Sequence, residues 1–220
     1  MKLSREEAAD ILSRVDHTLL KAFATWEDIE KLCDEAVRCK TASVCIPGCY
    51  VKRVSDKYKE NLCVCTVIGF PLGYCDTETK VFEARKAVEN GASEIDMVIN
   101  VTDVKNKNFE AVEKEIGALR EATKGKILKV IIETCYLTEE EKIELCHIVT
   151  RQKADYIKTS TGFGTGGATV EDVRLFKENV GPDVKIKAAG GIRTIEDAKA
   201  MIEAGADRLG TSALVSILSE

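Results

Sequence analysis

The chain is poor in the residues that build several common kinds of site. It has two histidines, His17 and His147, three prolines and one tryptophan in 220 residues, and aromatics make up 5%. Two histidines with no CxxC pair argue against a zinc centre, so no metal is expected. No run of about 18 apolar residues occurs, which excludes a membrane-spanning helix. Neither sign of charge dominates: 32 Lys and Arg against 37 Asp and Glu give a net charge of −5. Such a chain carries no global field for nucleic acid or an anionic membrane, though it can hold a local cationic pocket for a small anion. With few prolines and 45% apolar residues it is not a disordered chain.

Cysteine, by contrast, is plentiful. Nine stand at 33, 39, 45, 49, 63, 65, 75, 135 and 146. The number is odd and no secretory leader is read, so free thiols in a reducing cytoplasm are expected. Cys63 and Cys65 sit in an apolar run and read as packing residues.

Short β-rich runs alternate with amphipathic, charged stretches. Strands are expected near 15–20, 42–46, 62–68, 94–99, 127–133, 154–158, 184–188 and 206–210. Helices are expected near 26–39, 48–59, 76–90, 108–123, 138–151, 169–179, 194–204 and 212–218, with an extra one near 4–13. Thr25, Asp76, Thr138 and Thr194 are expected N-caps, and Gly91 and Gly205 expected helix ends. Eight strand–helix pairs argue for one (β/α)8 TIM barrel over residues 1–220 with an extra N-terminal helix. An open doubly wound sheet would carry a glycine fingerprint after its first strand, and LLKAFAT stands there instead.

Strand alternation sorts the side chains between the helix layer and the lumen. In EIDMVIN the apolar set Ile95, Met97 and Ile99 faces the helices, leaving Glu94, Asp96, Val98 and Asn100 inside. The same argument turns Lys129 and Glu133, Tyr156 and Lys158, and Lys185 and Lys187 inward. Asp16 and Thr18 share one face. Barrel lumens are ordinarily filled by branched apolar residues, so this many ionisable groups need mutual pairing or a chemical task. Any single inward lysine reads as a structural ion pair. Asp96, Lys158 and Lys187 together, near the C-terminal ends of their strands, read as a site. A lysine beside another cation favours the neutral amine, and a neutral amine attacks a carbonyl to give a Schiff base.

Glycine turns complete the pattern. Gly190-Gly191 follows the seventh strand, and Gly210-Thr211-Ser212 follows the eighth. Both open onto helix N-termini, where backbone N–H groups suit a phosphate. Thr159-Ser160-Thr161-Gly162 follows Lys158 directly and can face the same ligand.

The segments DHTLLK (16–21), VCIP (44–47), VIGFPLG (67–73), EIDMVIN (94–100), LKVIIET (128–134), ADYIKTSTGFGTGGAT (154–169), VKIKAAGGIRT (184–194) and GADRLGTS (205–212) run in order across nearly the whole chain. Together they resemble the deoxyribose-phosphate aldolases. The resemblance implies a cofactor-free class I aldolase that reversibly cleaves 2-deoxy-D-ribose 5-phosphate to D-glyceraldehyde 3-phosphate and acetaldehyde. It implies Lys158 as the Schiff-base lysine, Lys187 as the second lysine, Asp96 as the acid/base and Asp16 as a supporting polar residue. It implies Gly162, Gly190, Gly191, Gly210 and Ser212 as the phosphate-binding set. It also implies a homo-oligomer, dimer or tetramer. Cys45 matches a thiol that is attacked by an acetaldehyde adduct in some relatives, and here reads first as a buried strand thiol. Two departures stand out. Many relatives end in a longer tail carrying a tyrosine that assists a proton step, where this sequence closes on GTSALVSILSE. Some have a lysine where Phe163 stands, which leaves Arg193 and backbone amides as the expected phosphate contacts. The alternatives are a class I aldolase for another phosphorylated sugar, or a non-catalytic sugar-phosphate-binding barrel. The latter is expected to lose Lys158, Lys187 or Asp96.

Overall fold

The structure, a computed structural model, describes residues 3–218. Eight parallel strands close on themselves in sequence order. They are β1 (Val15–Thr18), β2 (Ser43–Ile46), β3 (Val64–Ile68), β4 (Glu94–Val98), β5 (Ile127–Ile131), β6 (Tyr156–Lys158), β7 (Lys185–Ala189) and β8 (Arg208–Thr211). Helix α1 (Arg5–Ser13) precedes β1. Around the barrel lie α2 (Trp26–Cys39), α3 (Val51–Tyr58), α4 (Thr77–Glu89), α5 (Val101–Lys105), α6 (Phe109–Ala122), α7 (Glu139–Arg151), α8 (Val170–Asn179), α9 (Ile195–Ala204) and α10 (Leu214–Leu218). This is the TIM barrel with an extra N-terminal helix that the alternation predicts. None of the described helices is long and apolar enough to cross a membrane.

The helix ends follow local chemistry. Thr25, Thr138 and Thr194 close capping boxes with Asp28, Glu141 and Asp197. Each box satisfies two backbone N–H groups that the first turn leaves over. Asp76 does precede α4, but its side chain makes no cap bond. Position N3 there is Thr79, which offers no carboxylate to close a box. Gly205 ends α9 in the left-handed region at φ 119°. Gly91, at φ 103°, follows the C-cap Asn90 of α4.

The main apolar core lies between strands and helices. Val44 and Ile46, Ile95 and Met97, Leu128 and Val130, Ile157 and Ile186 all face it and are buried. The lumen has its own small apolar group, Cys45, Cys65 and Val67, with Leu20 and Phe70 packed against it. Below it the lumen carries charge, with Ser43 and Tyr156 bonded to the charged side chains. Two expectations fail at strand ends. Lys185 is exposed at the N-terminal end of β7, with its Nζ over the Tyr156 ring. Asn100 lies beyond the end of β4, outside the lumen layer. There its side chain accepts from the Thr102 amide and caps α5, a short helix the periodicity does not reveal.

Candidate active site

Seven ionic groups meet in the lower lumen. Asp96, on β4, is the hub. Its Oδ2 accepts from Lys158 Nζ at 2.7 Å and from Lys187 Nζ at 2.6 Å. Its Oδ1 accepts from Lys129 Nζ at 2.9 Å and from the Cys65 thiol at 3.1 Å. Lys187 Nζ also lies 2.5 Å from Asp16 Oδ2. Lys129 Nζ lies 2.5 Å from Glu94 Oε2 and 3.7 Å from Asp16 Oδ2. Arg208 pairs with Asp16 Oδ1 at 2.6 Å and with Glu94 at 3.4 Å. Ser43 donates to Asp16 Oδ1 at 2.8 Å. The β-ladder fixes these neighbours, since Asp96 stands opposite Lys129, and Lys187 stands between Lys158 and Arg208.

Burial and charge pull in opposite directions here. Burial pushes the Asp96 carboxyl up, but Lys129, Lys158 and Lys187 outweigh it and hold the group well below the usual range. Burial likewise opposes ionisation of Asp16, and Lys187, Lys129 and Arg208 overcome it. Burial favours a neutral amine at Lys187 and Lys129. Asp16 and Asp96 outweigh it at Lys187, and Asp96, Cys65, Asp16 and Glu94 at Lys129, so both amines are held above their ordinary value. Lys187 is therefore a fixed ammonium. Burial and the neighbouring Cys45 and Asp96 keep the Cys65 thiol protonated.

The charge count is informative. Four cations (Lys129, Lys158, Lys187 and Arg208) face three carboxylates (Asp16, Glu94 and Asp96). The set balances when one lysine is a neutral amine. Lys129 pairs with three carboxylates and Lys187 with two, whereas Lys158 pairs with Asp96 alone. A buried excess charge costs several kcal/mol, by a general rule of about that size.

Lys158 is also the one lysine of this cluster on the cleft. A cavity of about 310 Å³ opens at the C-terminal end of the strands, with Lys158 in its wall. Asp16, Asp96 and Lys187 lie outside that wall and are fully buried. Gly162, Gly190, Gly191, Gly210 and Ser212 all line the cleft, so the sequence-predicted glycine set comes together around one space. The Gly190, Gly191, Ile192 and Ser212 amides have no acceptor among the described residues. The next two, Arg193 and Thr194, are taken by Asp197 Oδ2, at 2.9 Å each. Anion-binding capacity thus resides in the glycine turn itself rather than in the first turn of α9. Lys21 and Arg193 also border the cleft, and Phe163 forms part of its wall, edge-on to Phe70.

Two triads, Cys45 with Cys65 and Asp96, and Asp16 with Cys65 and Glu94, have ligating atoms within 4.8 Å of one another. The Lys129 ammonium contacts four of these five side chains, Asp16, Cys65, Glu94 and Asp96. It supplies the positive charge a metal ion would bring. Lys129, Glu94 and Arg208 are absent from the site expected by sequence. The alternation in ADRLG, with Leu209 facing the helices, carries the signal for Arg208.

A family model described as DeoC/LacD family aldolase matches residues 11–220. The chain belongs to that family of aldolases. It is 61% identical over 210 residues to a deoxyribose-phosphate aldolase of Clostridium botulinum (strain Alaska E43 / Type E3), covering 96% of this chain and 95% of that protein. It is 62% identical over 208 residues to one of Clostridioides difficile (strain 630), covering 94% and 95%. A tetrameric deoxyribose phosphate aldolase from Aeropyrum pernix superposes with a TM-score of 0.90 at 34% identity, covering 96% of this chain and 91% of that one.

Proposed function

We propose that the protein is a class I aldolase that reversibly cleaves 2-deoxy-D-ribose 5-phosphate to D-glyceraldehyde 3-phosphate and acetaldehyde, with Lys158 as its Schiff-base residue. The observation that carries this reading is the position of Lys158. It alone of the clustered lysines reaches the cleft lined by the glycine turns, and it does so while bonded to Asp96.

In the cleavage direction the neutral Lys158 amine adds to C1 of the open-chain sugar, and loss of water gives a protonated imine. A water held by Asp96 and Lys187 takes the proton of the C3 hydroxyl. The C2–C3 bond breaks, its electron pair passes to the imine as an enamine, and glyceraldehyde 3-phosphate leaves. Protonation of the enamine at carbon and hydrolysis release acetaldehyde and restore the amine. Asp16 holds the Lys187 ammonium from its far side. The turns at Gly162, Gly190, Gly191, Gly210 and Ser212 bind the phosphate, and that binding energy positions the reacting carbons. The chain functions as a homo-oligomer, which the tetrameric Aeropyrum pernix relative supports. Nine unpaired cysteines suit a cytoplasmic setting.

Reduction with borohydride in the presence of acetaldehyde tests the chemistry. One ethyl adduct on the peptide containing Lys158 is expected. No adduct on the folded protein overturns the mechanism, and an adduct on Lys187 reverses the two lysines' roles.

A further inference from the structure

Glu133 is the inward residue that the ion cluster does not use. It stands just past β5 with its backbone in the left-handed region, at φ 54° and ψ 67°, which a side chain other than glycine seldom adopts. Held backbone of this kind collects at functional sites. The turn carries the Glu133 carboxylate away from Asp96 and toward the segment after Lys158. It is buried, and apart from a long contact from the Cys135 thiol to Oε1 at 4.0 Å its bonds go to Thr161. The Thr161 amide donates to Oε1 at 3.2 Å and Oε2 at 3.3 Å, and the Thr161 hydroxyl donates to Oε2. That hydroxyl in turn accepts from the Phe163 amide at 3.0 Å.

The rest of the segment is built around this contact. A Cβ on Gly164 would stand 2.9 Å from Cys135 Sγ and 3.1 Å from the Glu133 carboxyl carbon, so Gly164 packs directly on the carboxylate. Further on, a Cβ on Gly167 would stand 2.4 Å from the Gly190 carbonyl oxygen, and the Ala168 amide donates to the Ala189 and Gly190 carbonyls. The segment is therefore held at one end by Glu133 and at the other by the glycine turn after β7. At the Glu133 end, Thr161 and Gly162 face the cleft.

We propose that Glu133 is a positioning residue for substrate binding, fixing the Thr161–Phe163 turn so that the Gly162 amide between them meets the phosphorylated sugar. This rests on the sugar-phosphate reading given above. Glu133 touches neither the substrate nor the Asp96 cluster. Its loss acts on affinity and leaves the imine chemistry in place.

Two variants test it against a separate readout. Glu133→Gln keeps the shape, removes the charge and turns an N–H donor toward the Thr161 amide. Gly164→Ala presses on the carboxylate from outside the cleft, and it decides the matter if Glu133→Gln does not fold. Each is expected to raise KM for deoxyribose 5-phosphate about tenfold while kcat stays within about threefold. Borohydride trapping of acetaldehyde, which needs no phosphate contact, is expected to label Lys158 in parent and variants at rates within about twofold. Parental KM in both variants overturns the proposal. A folded Glu133→Gln that loses trapping together with affinity also overturns it, by showing damage to the cluster. An untrapped parent instead removes the functional reading beneath it.

Discussion

Replacing Asp96 by Asn keeps the size of the side chain and removes one negative charge from the centre of the cluster. Asp96 bonds to three lysine side chains at 2.6–2.9 Å, and all four side chains are almost wholly buried. Removing one partner of a buried ion pair costs about 3–5 kcal/mol, a large part of a total stability of about 5–15 kcal/mol. The variant is left with Asp16 and Glu94 against four cations, so it relaxes by releasing a further proton from a lysine. In the unfolded chain those lysines keep their protons until pH approaches about 10.4. The unfolded state then binds more protons than the native state, and stability rises with pH. The deficit against the parent is expected to be about 3–5 kcal/mol at pH 7 and to narrow by up to about 1.4 kcal/mol per pH unit for the extra proton.

Urea unfolding followed by circular dichroism at pH 7, 8 and 9, on parent and variant side by side, reads this directly. A deficit below about 1 kcal/mol at pH 7 would refute the view that Asp96 holds the cations. So would a deficit of full size that stays flat with pH, because it would show the cost to be packing rather than charge.

Lys158→Met leaves three cations against three carboxylates. Its free energy of unfolding in urea is expected to stay within about 1 kcal/mol of the parent while kcat falls by at least about 10⁴, and a folded variant with measurable turnover would show that another amine carries the chemistry. Gly191→Ala meets no atom within 4 Å of the added Cβ, so its effect comes through the backbone at φ 81°. A left-handed alanine costs about 1–2 kcal/mol, and the turn is expected to shift and raise KM for deoxyribose 5-phosphate about tenfold without changing KM for unphosphorylated deoxyribose. Equal changes for both sugars would place the phosphate elsewhere.

The site is legible in the sequence where alternation is strict. In EIDMVIN the apolar residues at 95, 97 and 99 leave no choice but to turn Glu94 and Asp96 inward, and the lumen holds both. The reading fails where a strand ends, because alternation describes extended backbone only. Asn100 lies past Val98 and caps a helix, and Lys185 sits at the solvent end of β7 although it shares a face with Lys187. Glu133 shows the same limit in another form. Its parity is right, but one left-handed residue redirects the carboxylate to a neighbouring loop, and nothing in LKVIIET signals that turn. Partnership is the other thing alternation leaves open. It gives a set of inward lysines without saying which carboxylate each meets, so it cannot rank them.

That ranking comes from the closed barrel. Closure sets β4, β5, β6, β7, β8 and β1 around one small volume, so that across the lumen Lys187 meets Asp16 and Asp96 while Lys158 reaches Asp96 alone. The helix-facing residues build the main apolar core, which leaves the lumen free to hold charge that a core would reject. Within that charge there is one more cationic side chain than carboxylate. The lysine with the fewest partners is the one that opens on the cleft. A fourth carboxylate in the cluster would match every cation, and the same fold would then hold a balanced salt-bridge network. On the function proposed above, the difference between a structural ion cluster and a reactive one lies in that surplus of one cation, placed beside the only lysine of the cluster that lines the cleft.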